Sequence, residues 1–150
     1  MEIAVGARRC STLNDLMALS DIVSIHAPSS PETRGLVGSE ALSHANPGQV
    51  IVNTARGNSI DLDALNDALS SGRIAAAGLD VLPAEPADRN HPLIAAWLKR
   101  EPWLDRRLTL SPHAAFYSVE AERELRRKAA QNIVTWHRTG RPDYVVVARR

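Results

Sequence analysis

One cysteine in 150 residues, Cys10, excludes an intramolecular disulfide and a cysteine-based metal cluster. Long hydrophobic runs are missing too. No stretch approaches the ~20 apolar residues of a membrane span, and no basic region leads into an apolar segment at the N-terminus. Neither a spanning helix nor a secretory signal is expected, and a cytoplasmic location is. Charge of one sign is also lacking: 18 basic and 17 acidic side chains leave +1, which argues against a generally basic nucleic-acid binder. The distribution is uneven, because residues 123–150 hold eight basic and two acidic side chains while residues 1–122 hold ten and fifteen. Arg126, Arg127 and Lys128 follow Glu120, Glu122 and Glu124, an order that suits the dipole of a solvated helix, so no direct nucleic-acid contact is expected. The chain has no solenoid repeat, low-complexity stretch, G-x-S-x-G elbow, P-loop or Cys–His pair.

What is present is the balance of a globular protein, 44% apolar and 23% charged, with an alternation of periods along the chain. Thr12 and Asp15 form a capping-box-like start to a short helix carrying Leu13, Leu16 and Met17. Asp21 to His26 is a compact β-branched run stopped by Pro28 and Pro31, and Gln49 to Thr54 is a second buried strand after the turn at Asn46-Pro47-Gly48. Between them, Ser39 to Ala45 has helical character. Asp61 can cap a helix with Leu62, Leu65, Ala68 and Leu69 on one face, ending at Gly72. Ile74 to Val81 and Leu108 to Ser111 complete four strands, with a short helix from Leu93 to Leu98 between them. Ala121, Leu125, Ala129, Ile133 and Trp136 share one face of a long final helix from Ser118 to about Arg138. Strands separated by helices predict an α/β fold with a parallel sheet and helices on both faces.

In such a sheet every strand-ending loop opens on one rim, where ligands bind. The first strand ends in His26-Ala27-Pro28, the second in Asn53-Thr54-Ala55-Arg56-Gly57, the third in Asp80 with Glu85 beyond it, and the fourth in Pro112-His113-Ala114-Ala115. A guanidinium can grip a carboxylate with two hydrogen bonds, an imidazole can exchange a proton near neutral pH, and a carboxylate can orient that imidazole. Arg56, His113 and Glu85 are therefore candidates for one site. His44, His91 and His137 have no ligand-like spacing and read as surface residues.

Five segments carry a resemblance: Ser11–Leu16, Ser20–His26, Val52–Gly57, Gly78–Val81 with Glu85-Pro86, and Ser111–Ala115. In this order they resemble consecutive motifs of the NAD-dependent D-isomer-specific 2-hydroxyacid dehydrogenases. Residues 113–118 with the Trp97–Trp103 insertion are most similar to the branch of the C-terminal binding protein corepressors, although Phe116 stands where that branch usually has tryptophan. The resemblance implies hydride transfer between C2 of a D-2-hydroxy acid and NAD, or reduction of the 2-oxo acid. Arg56 would bind the substrate carboxylate, His113 would exchange the proton at the C2 oxygen, and Glu85 would hydrogen-bond His113. Ala27, Pro28, Thr33, Thr54, Ala55, Arg56, Asp80, His113 and Ala115 would line the cofactor groove.

The family's domain opens with a strand, a G-x-G-x-x-G turn and a helix, and the eight glycines here contain no such spacing. The expectation is a partial Rossmann-type, doubly wound parallel sheet without its first strands and Gly-rich turn. Residues 1–117 would be a partial NAD-binding domain and residues 118–150 a C-terminal helix and tail, as in the C-terminal half of an enzyme. Its partners would be a small 2-hydroxy or 2-oxo acid and either a homo-oligomer or a complementary N-terminal chain. The alternatives are an NAD(H)-responsive corepressor-like binding module and an inactive truncation product.

Overall fold

A computed structural model describes residues 6–145, which divide into two units, the first reaching to His113 and the second starting at Ala114. The first unit runs α1 (Leu13–Leu19), β1 (Ile22–Ile25), α2 (Ser39–Ser43), β2 (Gln49–Asn53), α3 (Leu62–Ser70), β3 (Ile74–Leu79), α4 (Pro92–Leu98) and β4 (Leu108–Leu110). The strands form one four-stranded sheet in the order β1-β2-β3-β4, and every pair is parallel. The expected elements are all found, each within a few residues of its expected ends.

Local chemistry sets those ends. The Thr12 hydroxyl accepts the Asp15 N–H at 3.1 Å and opens α1, and Asp61 Oδ1 accepts the N–H groups of Asp63 and Ala64 to open α3. His91 is a correction to its reading as a surface residue. Its Nδ1 accepts the Leu93 N–H at 3.2 Å, capping α4 ahead of Pro92, while its Nε2 donates to Asp63 at 3.1 Å.

Among the described residues of the first unit, the helices pack on one face of the sheet. Val23, Ile25, Ile51, Ala77 and Leu79 are buried beneath Met17, Leu42, Leu65, Leu69 and Leu93. Each large aliphatic side chain so buried contributes about 1.5–3 kcal/mol. On the opposite face, Ser24, Val52, Gly78 and Thr109 lie side by side in register, with Ser24 and Thr109 exposed and the other two half-buried. Ile22 belongs to that face and is 66% exposed on the edge strand β1. The run of apolar residues that reads as doubly buried strands is buried on one side only among the described residues.

Two polar side chains lock the framework from inside. Gln49 is fully buried, and its Nε2 donates to the carbonyls of Met17 and Ser20, tying the end of α1 to β2. Arg107 spreads its guanidinium over the carbonyls of Leu69, Ile74, Ala75 and Trp103, at 2.7–3.0 Å, and so fastens α3, β3 and the turn before β4 together.

The second unit holds α5 (Val119–Thr139), opened by the Ser118 hydroxyl on the Ala121 N–H and closed by Gly140 at φ +70°. After Gly140 the chain turns back, and Asn132 exchanges two hydrogen bonds with the Tyr144 backbone. The basic residues at the middle of α5 are paired: Arg127 grips Glu124 with two bonds of 2.7 Å, and Arg126 meets Glu122. Among the described residues, no helix is long and apolar enough to cross a membrane.

Candidate active site

Parallel strands that end level with one another deliver their following loops to one rim, and here the loops after β2 and β3 are tied together. Asn53, the last residue of β2, is fully buried. Its Oδ1 accepts the Ala55 N–H, its Nδ2 donates to the Arg56 carbonyl, both at 3.0 Å, and its own carbonyl accepts the Asp80 N–H at 2.9 Å. One side chain thereby shapes the Thr54–Arg56 turn from both ends. The next residue explains its own identity. A Cβ on Gly57 would stand 2.0 Å from the Leu82 carbonyl carbon and 2.5 Å from Pro83 N, so only glycine lets the loop after β3 pass over this turn.

That loop carries Glu85. Its Oε1 accepts the Leu82 N–H at 3.1 Å and its Oε2 lies 2.8 Å from Nδ1 of His113. Both groups are a little over two-fifths exposed. The hydrogen bond from His113, seconded by the Leu82 N–H, holds the Glu85 carboxyl below its ordinary value, because each stabilises the carboxylate form. A carboxylate on Nδ1 puts a proton there and leaves proton exchange to Nε2. His113 itself sits at φ +53°, the left-handed region uncommon for a side chain with a Cβ. Its N–H points to the carbonyls of Asp80 and Ser111 at 2.9 and 3.0 Å, which holds that turn.

Arg56, Glu85 and His113 line one depression of about 160 Å³, together with Ser29, Asn58 and Leu82. Arg56 is exposed, and its Nη1 donates to the Ala55 carbonyl at 2.7 Å. Beside them Asp80 is buried, with Oδ1 accepting the Ser111 hydroxyl at 2.6 Å. The sheet face next to it is clear, since a Cβ on Gly78 would meet nothing within 4 Å. A buried carboxylate beside an open face fits an amide-bearing ring such as nicotinamide.

The other expected cofactor residues are placed differently. Thr54 is exposed and Ala55 half-buried in the Asn53-braced turn, Ala27 packs against the core, and Pro28 is exposed. The Thr33 hydroxyl donates to the Pro28 carbonyl at 2.7 Å and accepts the Ser30 N–H, so it braces the loop after β1. Ala115 lies in the second unit. Among the described residues no Gly-rich strand-turn-helix is present to take a pyrophosphate. Sequence reading missed Ser29, Asn53 as a brace, Gly57 as a crossing point, and Ser111. Only Asn53 had a readable signal, a lone amide ending an apolar strand.

The family described as D-isomer specific 2-hydroxyacid dehydrogenase, NAD binding domain, matches residues 2–115, and the chain belongs to it. Glyoxylate reductase of Aeropyrum pernix is 40% identical over 136 residues, 91% of this chain and 38% of that protein. D-3-phosphoglycerate dehydrogenase of Escherichia coli K12 is 31% identical over 135 residues, 90% of this chain and 32% of that protein. The apo crystal structure of Rhodotorula graminis D-mandelate dehydrogenase superposes with a TM-score of 0.80 at 34% identity, covering 99% of this chain and 42% of that one. The chain spans between 32% and 38% of the length of those two curated relatives.

Proposed function

We propose that this chain carries the nicotinamide-side half of a D-2-hydroxyacid dehydrogenase site, acting on a small 2-hydroxy acid or its 2-oxo counterpart. The observation that carries the reading is the 2.8 Å contact between Glu85 and His113 on the wall of a depression that Arg56 also lines. Arg56 holds the substrate carboxylate through its guanidinium fork. Glu85 fixes the His113 ring through Nδ1, and Nε2 exchanges the proton at the C2 oxygen. NAD, as the family's description supports, supplies the hydride acceptor or donor when bound. Asp80 and the Thr54–Arg56 turn would hold its nicotinamide end, with Ala27, Pro28 and Thr33 along the loop after β1 completing the groove. Residues 113–118 support a place near the corepressor-like branch. The exposed edge of β1 supports association there with a second copy or a chain supplying the next strand.

The test uses a chimera that joins this chain to the unmatched remainder of a relative. His113→Ala then lowers kcat about 100- to 10,000-fold with a smaller change in KM, as expected for loss of proton transfer. Arg56→Lys raises KM and lowers kcat together, because an ammonium cannot reproduce the fork. Wild-type turnover of glyoxylate or phenylglyoxylate in either variant would overturn the assigned role.

A further inference from the structure

Asp80 follows β3 directly, and it is buried beside the open sheet face at Gly78. The torsion that turns an aspartate carboxylate about its last bond is soft, so burial alone does not set the direction in which its oxygens point. A hydrogen bond does. The Ser111 hydroxyl donates to Asp80 Oδ1 at 2.6 Å, within the range of a bond between a hydroxyl and a charged oxygen. Ser111 itself is exposed, so little packing depends on its side chain, and what serine adds at this position is its hydroxyl. Its backbone is committed to the same join. The Ser111 N–H donates to the Leu79 carbonyl at 3.0 Å, and the Ser111 carbonyl accepts the His113 N–H at 3.0 Å, alongside the Asp80 carbonyl at 2.9 Å. Ser111 thus holds Asp80 through its side chain and His113 through its main chain, and these three residues line one cleft of about 490 Å³.

Resting on the function proposed above, we infer that Ser111 is a positioning residue: its hydroxyl aims the Asp80 carboxylate at the nicotinamide end of the cofactor. C2 of the substrate and the oxygen it carries are directly bonded. The side chain that orients the cofactor and the ring that exchanges the proton therefore have to keep their places relative to each other, since a misplacement of about 1 Å can cost about 100-fold in rate. Ser111 is bound to both. Removing its hydroxyl leaves the backbone bonds to Leu79 and His113 in place and lets the Asp80 carboxylate turn, so the loss falls on the cofactor end alone. Threonine carries the same hydroxyl, and the exposure of this position accommodates its extra methyl. Alanine has no donor to offer.

The experiment uses the isotope-labelled full chain. Nicotinamide mononucleotide and glyoxylate are titrated separately, and the Asp80 carboxyl carbon and the His113 amide are followed by NMR. In the wild type the mononucleotide is expected to shift the Asp80 carboxyl signal. Ser111→Ala weakens the mononucleotide at least about 10-fold, the factor carried by loss of a hydrogen bond to a charged group, and leaves the affinity for glyoxylate unchanged. Ser111→Thr restores the mononucleotide affinity. A lowered unfolding midpoint in Ser111→Ala with wild-type affinity for the mononucleotide overturns this inference and leaves the proposed function standing, because the hydroxyl then only supports the fold. Equal losses in the alanine and threonine variants, or equal weakening of both ligands, overturn it in the same way. An Asp80 signal that stays still in the wild type at about 10 mM mononucleotide overturns the inference together with the placing of the nicotinamide end at Asp80.

Discussion

Glu85 meets two donors, the His113 ring and the Leu82 N–H, and both favour its carboxylate. Since its folded value is depressed, the stabilisation from these contacts is in place above the ordinary value of 4.5 and disappears as pH falls through the lowered folded value. A carboxyl titration by NMR should find Glu85 below 4.5, and Glu85→Gln should flatten the fall of stability in that acid window. Asn53 offers a sharper test, because its amide serves two backbone groups of one turn. Asn53→Ala is expected to cost about 2 kcal/mol in chemical denaturation and to weaken carboxylate binding at Arg56, whose backbone carbonyl the Asn53 amide holds. Arg56, Glu85 and His113 were legible because their types and their strand-end positions make chemical sense together. Ser29 and Gly57 were not, because each acquires its meaning from a loop far away in sequence, as Gly57 does from the Leu82–Pro83 backbone.

Helices and strands were legible nearly to the residue where a cap or a turn marks them: Thr12, Asp61, Ser118 and Gly140 are read from local chemistry alone. The ties between elements were not, and Arg107 shows why. Nothing beside it in the sequence announces that its guanidinium will serve four carbonyls from α3, β3 and the turn ahead of β4. Arg107→Met keeps much of the stem and removes the donors. The expected loss is about 3 kcal/mol, measured by urea unfolding, since carbonyls shielded from water lose charged partners. The same periodicity that located the strands misled on their coverage, because a continuous β-branched run looks alike whether one face or both are packed.

For the chain as a whole, the exposed edge of the sheet sets an expectation for solution behaviour. Ile22 stands exposed on an edge strand beside the half-buried Val50 and Ala76, an arrangement that invites pairing with another chain. Ile22→Lys should therefore raise the monomer fraction in light scattering coupled to size exclusion without lowering the unfolding midpoint, as the residue has little packing to lose. A monodisperse 16.3 kDa species before the substitution would show that the edge is inert. The strand order carries a consequence for synthesis. Because β1, β2, β3 and β4 are neighbours in the same sequence in which they are made, each new strand finds its partner already waiting at the growing side of the sheet. No strand has to be held open for a later one to slot between existing neighbours. A ribosome-tethered chain should thus acquire protease resistance in steps, one strand–helix–strand unit at a time, with the Arg56 turn pinned only once Leu82 and Pro83 have emerged to lie across Gly57.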